Sequence, residues 1–245
     1  LLKKYPNCII ETEKRLLSLF KNSFGYQKNF IEYRKVSNFK KDLEKFDYTI
    51  YAGSLGKLFR NSLEEFPKTN FLKSSNKVDD VTNKLFDKYK NQIKIGISWI
   101  SKATIGEEKS LTLDQLKPIL LMNNKFNFFN MQYSDSSNEI NSFKEKNNKV
   151  VIEEFKNIDM YNDFDSLASI LKKIDLFITV SNSTAHLAAA LGVETWIIKP
   201  KNHAVFHYWN QPGKTTPWYK SVQLYNYKGD WSITVNEIKS DLEKK

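Results

Sequence analysis

The sequence predicts an α/β fold built on parallel β-sheets. Short apolar segments rich in Ile, Val, Phe and Tyr alternate with longer segments of helical period, a pattern typical of βαβ units. The segment at 175–180, DLFITV, is continuous and apolar, as expected of a central strand covered on both faces. Candidate strands lie at about 7–11, 28–34, 47–52, 93–98, 126–132, 149–152, 175–180, 194–199 and 221–225, with helices between them.

Length and composition predict two small domains. The chain has 245 residues, 40% hydrophobic and 27% charged, a globular mix. The stretch from Pro67 to Asp80 is polar and aperiodic, so we expect a linker that separates residues 1–76 from residues 77–245. The second part holds enough βα units for a complete domain. The first has only about three strands, and we expect it to be the incomplete end of a domain whose beginning precedes this sequence.

The net charge of +10 raises the question of a nucleic-acid partner. The positive charge is almost all Lys and is scattered among acidic residues, whereas nucleic-acid readers cluster it and favour Arg. We therefore expect no nucleic acid, but attraction to an anionic nucleotide or membrane surface. No apolar run is long enough to span a membrane, and the single Cys8 gives no disulfide framework, so a cytoplasmic location is expected.

The clearest candidate site follows the strand at 175–180. The segment SNSTAHLAAALG begins with small hydrogen-bonding residues, continues with Ala and Leu, and ends at Gly192, which suits a left-handed residue after a helix. A helix N-terminus at the carboxyl end of a strand offers N–H groups and a positive dipole to an anion. Ser183 and Thr184 would then hold a diphosphate, with His186 in reach. The alternative is a capped helix that binds nothing.

Two further strand ends are predicted at the same edge of the sheet. The loop at 101–110 follows one strand and contains Lys109, which together with the preceding Ser98 suits a phosphate. A solvated loop is the alternative interpretation. The strand at 126–132 ends at the polar Gln132. Because the carboxyl ends of parallel strands meet at one edge, these turns are expected to converge on one crevice.

Two signals for a metal are weaker than their alternatives. Asp163 and Asp165 have the acidic spacing of some metal-dependent transferases, but they precede a helical pattern and are better explained by an N-cap. His203 and His207 have i,i+4 spacing, but no acidic third ligand accompanies them. We therefore expect neither a metal nor another cofactor.

Taken together, these segments resemble the C-terminal half of the heptosyltransferase-like glycosyltransferases of family 9, especially the bacterial branch often fused to tetratricopeptide repeats. The resemblance runs in the family's order over roughly 47–235, and its most specific piece is Val180 to Gly192. The matching pieces are GSLGKLF at 53–59, GISW at 96–99, KSLTL at 109–113, NMQY at 130–133, DF at 163–164, 175–192, PWY at 217–219 and GDW at 229–231.

The resemblance implies a GT-B architecture, in which two Rossmann-like domains face a cleft and the second binds a nucleoside diphosphate sugar without an obligatory metal. Family members often have Asp where this chain has Ser181. Their general base is expected in an early loop of the first domain, which is absent from this sequence. The candidate donor-binding residues are Ser98, Gln132, Asp163, Asn182, Ser183, Thr184 and His186, with Lys109 as the catalytic cation.

The expected activity is transfer of a sugar from a nucleoside diphosphate to a hydroxyl of a glycan, a lipid-linked glycan or a protein. The positive charge would also favour peripheral association with the inner face of a membrane. Two alternatives remain open. One is a non-catalytic, degenerate domain that serves as a scaffold or carbohydrate-binding module, and the other is a nucleotide-sugar 2-epimerase with the same two-domain plan.

Overall fold

The computed structural model describes residues 1–33, 45–75, 80–102, 106–200 and 207–245. The strands are β1 (Ile10–Thr12), β2 (Phe30–Glu32), β3 (Ile93–Ser98), β4 (Phe126–Asn130), β5 (Ile152–Glu153), β6 (Leu176–Val180), β7 (Thr195–Ile198) and β8 (Val222–Tyr225). The helices are α1 (Leu17–Phe24), α2 (Gly56–Phe59), α3 (Asp80–Lys88), α4 (Gly106–Lys109), α5 (Leu113–Leu120), α6 (Ser137–Lys146), α7 (Phe164–Leu171), α8 (Ser183–Ala190) and α9 (Trp231–Leu242).

Six of these strands form one parallel sheet in the order β5-β4-β3-β6-β7-β8. Counted from β3, this order is 3-2-1-4-5-6, that of a doubly wound sheet. Helices cover both faces: α5, α6 and α9 contribute to one core, whereas α1, α3, α7 and α8 contribute to the other. The predicted α/β fold with a parallel sheet is confirmed.

The strand order places a topological switch point between β3 and β6. These strands are paired, with Ser98 opposite Thr179 near their carboxyl ends. From β3 the chain moves outward to β4 and β5, and from β6 it moves outward in the other direction to β7 and β8. A crevice opens at such a point, outside the carboxyl ends of the strands.

In the described residues of the first part of the chain, β1 pairs with β2 in parallel. The strand predicted at 47–52 is wrong, because residues 47–51 have no regular structure and Ala52 begins a 3₁₀ turn. Its aromatic residues lie in solvent, with Tyr48 94% exposed and Tyr51 79% exposed. Apolar content suggested a strand there, but no neighbouring strand in the described residues supplies backbone partners.

The predicted linker is packed onto the larger sheet's helices over part of its length. The N–H groups of Phe71 and Leu72 both donate to the carbonyl of Ala190 at 3.1 Å, and Leu72 is buried. Leu19 of α1 is fully buried in the core that α3, α7 and α8 share. The expected domain boundary, between 76 and 77, lies outside the described residues. In the described regions, no helix combines the length and apolarity needed to cross a membrane.

Candidate functional site

Three of the predicted residues form a hydrogen-bonded chain across the switch point. The Asn182 Nδ2 group donates to Ser98 Oγ at 2.9 Å, and Ser98 Oγ donates to Gln132 Oε1 at 3.0 Å. All three side chains are buried, with 9%, 2% and 5% of their surface exposed. The structure therefore brings together the ends of β6, β3 and β4, as the sequence predicted.

Gln132 uses its amide to shape the loop that follows β3. Its Oε1 atom also accepts hydrogen bonds from the N–H groups of Trp99 and Ile100, each at 3.1 Å. Its Nε2 group donates to the Ile100 carbonyl at 2.9 Å and to Ser134 Oγ at 3.2 Å. Because these protein partners occupy the amide, Gln132 positions the loop backbone rather than offering its own polar atoms to a ligand.

The N-terminus of α8 has a complete cap and two N–H groups without helical partners. Asn182 is extended, with φ −145°, and its Oδ1 atom accepts a hydrogen bond from the N–H of Ala185 at 2.9 Å. The N–H groups of Ser183 and Thr184 precede the first helical hydrogen bonds. Ser183 is exposed and Thr184 is 2% exposed. At the other end, Gly192 has φ +77°, so its predicted left-handed conformation is confirmed.

The loop that carries Lys109 is closed by a serine bridge. Ser110 Oγ accepts a hydrogen bond from the N–H of Ser101 at 2.9 Å and donates to the carbonyl of Gly106 at 2.6 Å. A Cβ atom at position 106 would overlap the Ser101 carbonyl oxygen, so glycine permits this close approach of two backbone segments. The bridge holds α4 against the residues that follow β3.

Lys109 is the last residue of α4 and lies next to the end of β3. Two residues after it, the N–H of Leu111 donates to the Trp99 carbonyl at 2.9 Å, which attaches this part of the loop directly beyond Ser98. Lys109 is 1% exposed, and burial lowers the pKa of its ammonium group. A desolvated ammonium interacts more strongly with an anion than an exposed one does.

His186 lies in an aromatic cluster beside the first turn of α8. Its Nδ1 atom is 3.1 Å from Tyr219 Oη, and its ring stacks on that of Trp209 with centroids 4.5 Å apart. Burial, and to a lesser degree the charge of His207, lowers the pKa of His186 to about 4. The imidazole is therefore neutral near pH 7, so at this pH it offers a hydrogen bond rather than a positive charge to a ligand.

The lowered pKa of His186 predicts that acid destabilises the protein. Its ordinary pKa is 6.5, so between pH 6.5 and about 4 the unfolded chain binds more protons than the folded one. We expect the free energy of unfolding to fall as the pH drops through this window, by at most about 3 kcal/mol from this residue. Chemical denaturation at several pH values measures how steeply the free energy of unfolding depends on pH.

Two variants isolate the contribution of His186. His186→Phe keeps a ring on Trp209 but does not titrate, so its stability should depend less on pH between 6.5 and 4. His207→Gln removes an exposed histidine and should retain most of the dependence. An unchanged slope in His186→Phe would show that other groups cause the acid sensitivity.

Asp163 has the capping role that its sequence context suggested. Its Oδ1 atom accepts a hydrogen bond from the N–H of Ser166 at 3.0 Å, and its Oδ2 atom accepts one from Ser166 Oγ at 2.6 Å. Both carboxylate oxygens therefore serve the start of α7. Within the described ranges, no group of three or more His, Cys, Asp or Glu side chains is arranged to hold a metal. His203, the other half of the histidine pair, lies outside them.

A small pocket adjoins the hydrogen-bonded chain at the ends of β4 and β5. Its volume is about 240 Å³. It is lined by Asn130, Gln132, Tyr133, Glu154, Phe155, Ile158, Asp159 and Met160. Sequence analysis identified only Gln132 of these residues, because the 154–160 segment has no recognisable motif. The rule that ligands meet the carboxyl ends of parallel strands would have located them.

Sequence analysis also missed a second buried lysine at this edge of the sheet. Lys199 directly follows β7 and is 8% exposed. Its Nζ atom donates to the carbonyl of Gln211 at 3.2 Å, and burial lowers its pKa. The only available signal was its place at the end of a predicted strand.

Comparisons with known proteins provide a curated relative and several distant structural neighbours. No protein-family model matches the chain. Protein FlbA of Caulobacter vibrioides is 26% identical over 246 residues, which cover 95% of this chain and 40% of FlbA. The chain thus spans less than half of that relative.

The structural neighbours include glycosyltransferases and a protein described as a putative epimerase. ADP-heptose lps heptosyltransferase II of E. coli is 13% identical, with a TM-score of 0.47, over 76% of this chain and 57% of that one. The family 9 glycosyltransferase of Veillonella parvula is 13% identical, with a TM-score of 0.44, over 90% and 64%. A putative UDP-N-acetylglucosamine 2-epimerase of Listeria monocytogenes is 12% identical, with a TM-score of 0.44, over 98% and 61%. Likenesses this distant do not distinguish between the two reactions.

Proposed function

We propose that this chain binds a nucleoside diphosphate sugar at the switch point and takes part in transferring the sugar to a hydroxyl acceptor. The observation that carries the proposal is the buried chain Gln132–Ser98–Asn182. Gln132 borders the small pocket, and Asn182 caps α8. One hydrogen-bonded network therefore connects a pocket to a helix N-terminus, the two parts that a nucleoside diphosphate needs.

The diphosphate would lie at the start of α8. The N–H groups of Ser183 and Thr184 and the positive end of the helix dipole favour an anion there, and the exposed Ser183 hydroxyl adds a donor. Lys109, fixed beside the end of β3, would supply the full positive charge. His186 is neutral, so its role would be a hydrogen bond to the phosphate or sugar.

The nucleoside would occupy the pocket beyond β4 and β5. At about 240 Å³ the pocket is smaller than the roughly 300–1,000 Å³ typical of a site that encloses a whole drug-sized ligand. It therefore suits one part of a larger ligand. Phe155, Ile158 and Met160 provide apolar surface for a base, and the polar side chains around them suit a ribose.

In the proposed reaction the bond between the sugar's anomeric carbon and the diphosphate oxygen breaks as the acceptor hydroxyl attacks. The electron pair of the broken bond leaves with the diphosphate, and the hydroxyl proton passes to a base or to solvent. Donors fixed in advance at the α8 N-terminus and at Lys109 would stabilise the developing charge, the effect that usually contributes most to such catalysis. The acceptor is proposed to be a glycan, a lipid-linked glycan or a protein.

Thermal-shift measurements on the intact protein test the donor site. The ligands are ADP, CDP, GDP, UDP and inorganic pyrophosphate, each over a range of concentrations. A ligand at a hundredfold excess over its Kd should stabilise the protein by about 2.7 kcal/mol. We expect at least one nucleoside diphosphate to bind more tightly than pyrophosphate, because it fills the pocket as well. Stabilisation by none of the five would refute the proposal.

Product analysis separates transfer from its alternatives. The preferred nucleoside diphosphate is supplied with different sugars, with and without a hydroxyl acceptor. Transfer predicts release of the nucleoside diphosphate together with a glycosylated acceptor. An isomerised donor would identify an epimerase, and tight binding without turnover would identify a non-catalytic module.

A further inference from the structure

The turn at 158–162 separates the nucleoside pocket from a second cleft. Ile158, Asp159 and Met160 line the pocket, whereas Tyr161 and Asn162 line a different cleft of about 640 Å³. Asp159 holds the turn together, because its Oδ1 atom accepts hydrogen bonds from the N–H groups of Tyr161 and Asn162 at 2.9 and 3.0 Å. These hydrogen bonds tie Tyr161 and Asn162, which form the cleft-lining outer face of the turn, to Asp159 on its pocket-lining inner face.

Arg15, from the first part of the chain, binds this outer face of the turn. Its Nη1 group donates to the carbonyl of Tyr161 at 2.8 Å, a contact between residues 146 positions apart. The guanidinium carbon lies 4.5 Å from the centroid of the Tyr161 ring and 5.1 Å from that of Phe164, the first residue of α7. Its Nε group also contacts Glu13 at 2.5 Å. A planar guanidinium can stack and donate at once, which a lysine cannot.

The backbone that carries Arg15 is itself anchored. Arg15 lies in a 3₁₀ turn at Lys14–Leu16 that leads directly into α1. Leu19 of α1 is fully buried in the core that includes Leu167 and Leu171 of α7. The arginine is therefore presented from a fixed element rather than from a loose terminus. The side chain is about one quarter exposed, which leaves its contacts with Tyr161 and Phe164 partly shielded from water.

We propose that Arg15 is a positioning residue for the nucleoside pocket. Through its contacts with the Tyr161 carbonyl and ring, it holds the 158–162 turn against the base and ribose of the donor. This inference rests on the proposed function and extends it by giving the first part of the chain a role in donor binding. The inference also assigns the two halves of the ligand to different residues. Arg15 acts on the nucleoside half, whereas the α8 N-terminus and Lys109 act on the diphosphate.

The test compares two ligands and one ligand-free property in the intact protein. Calorimetry with the tightest-binding nucleoside diphosphate should show an affinity about tenfold lower for Arg15→Ala than for wild type. The affinity for inorganic pyrophosphate, which does not reach the pocket, should change by less than about twofold. Without ligand, hydrogen exchange at residues 158–162 should be faster in Arg15→Ala, while exchange in β6 stays the same.

Two substitutions, one of the neighbouring Lys14 and one conservative change of Arg15, provide the controls. Lys14→Ala removes an exposed cation from the same cleft and should match wild type in all three measurements. Arg15→Lys keeps the charge without the planar group and should behave like Arg15→Ala. Equal losses for both ligands, or unchanged exchange at 158–162, would overturn the inference. A further outcome is that wild type binds neither ligand while hydrogen exchange at 158–162 is still faster in Arg15→Ala. That result would refute the proposed donor site but support the role of Arg15 in holding the turn.

Discussion

Replacing Lys109 with Met should reduce turnover by on the order of 10²-fold or more in the intact protein. Methionine keeps most of the buried stem but removes the ammonium group, so the developing charge on the diphosphate loses its one proposed cation. Steady-state kinetics measure turnover, and thermal unfolding establishes that Lys109→Met is folded under the assay conditions.

The matched control is Lys102→Ala, on the same loop. Lys102 is exposed, and its backbone N–H donates a hydrogen bond to Tyr133 Oη at 2.8 Å. Loss of the Lys102 side chain should leave turnover within about twofold of wild type. Wild-type turnover in Lys109→Met would remove this lysine from the mechanism. Equal losses in both variants would point instead to a general effect of positive charge on the loop.

Replacing Asn182 with Ala should weaken both the fold and the proposed diphosphate site. The N–H of Ala185 would lose its cap, and Ser98 and Thr179 would lose a buried donor. We expect a destabilisation of about 1–3 kcal/mol. The first turn of α8 would fray, so the affinity for inorganic pyrophosphate should fall as well. Chemical denaturation and calorimetry give the two values.

Two further variants separate capping from ligand binding. Asn182→Asp keeps an acceptor for Ala185 but places a negative charge at the proposed diphosphate, so it should be more stable than Asn182→Ala yet bind pyrophosphate at least about tenfold more weakly than wild type. Asp230→Ala removes the cap of α9, where Asp230 Oδ1 accepts from the N–H of Ser232, and should affect stability alone. An unaltered pyrophosphate affinity in Asn182→Asp would place the anion elsewhere.

The parts of the candidate site that could be predicted from the sequence are those formed by near neighbours in the chain. The α8 cap joins Asn182 to Ala185, and the chain reverses at Gly192, whose lack of a side chain permits φ +77°. Patterns of two to five residues encode such features. The strand at 175–180 was equally clear, because a strand buried on both faces is continuously apolar.

What lay beyond prediction depends on contacts between distant residues. The place of His186 in the first turn of α8 predicts that it can reach a ligand, but not that its ring stacks on Trp209 beside Tyr219, nor that burial lowers its pKa. Gln132 looked like a direct contact, but the loop after β3 occupies its amide. Neither environment can be derived from the residue or from its neighbours in sequence.

Residue patterns alone predict an alternation of strands and helices, a central strand buried on both faces, and a capped helix after that strand. These properties arise from periodicity and local hydrogen bonding, which act over a few residues. The contacts between Ser98 and Asn182, 84 positions apart, and between Arg15 and Tyr161 form only in the folded chain. Side-chain burial, pKa and hydrogen-bond partners depend on which strands and helices become neighbours, and folding sets that arrangement.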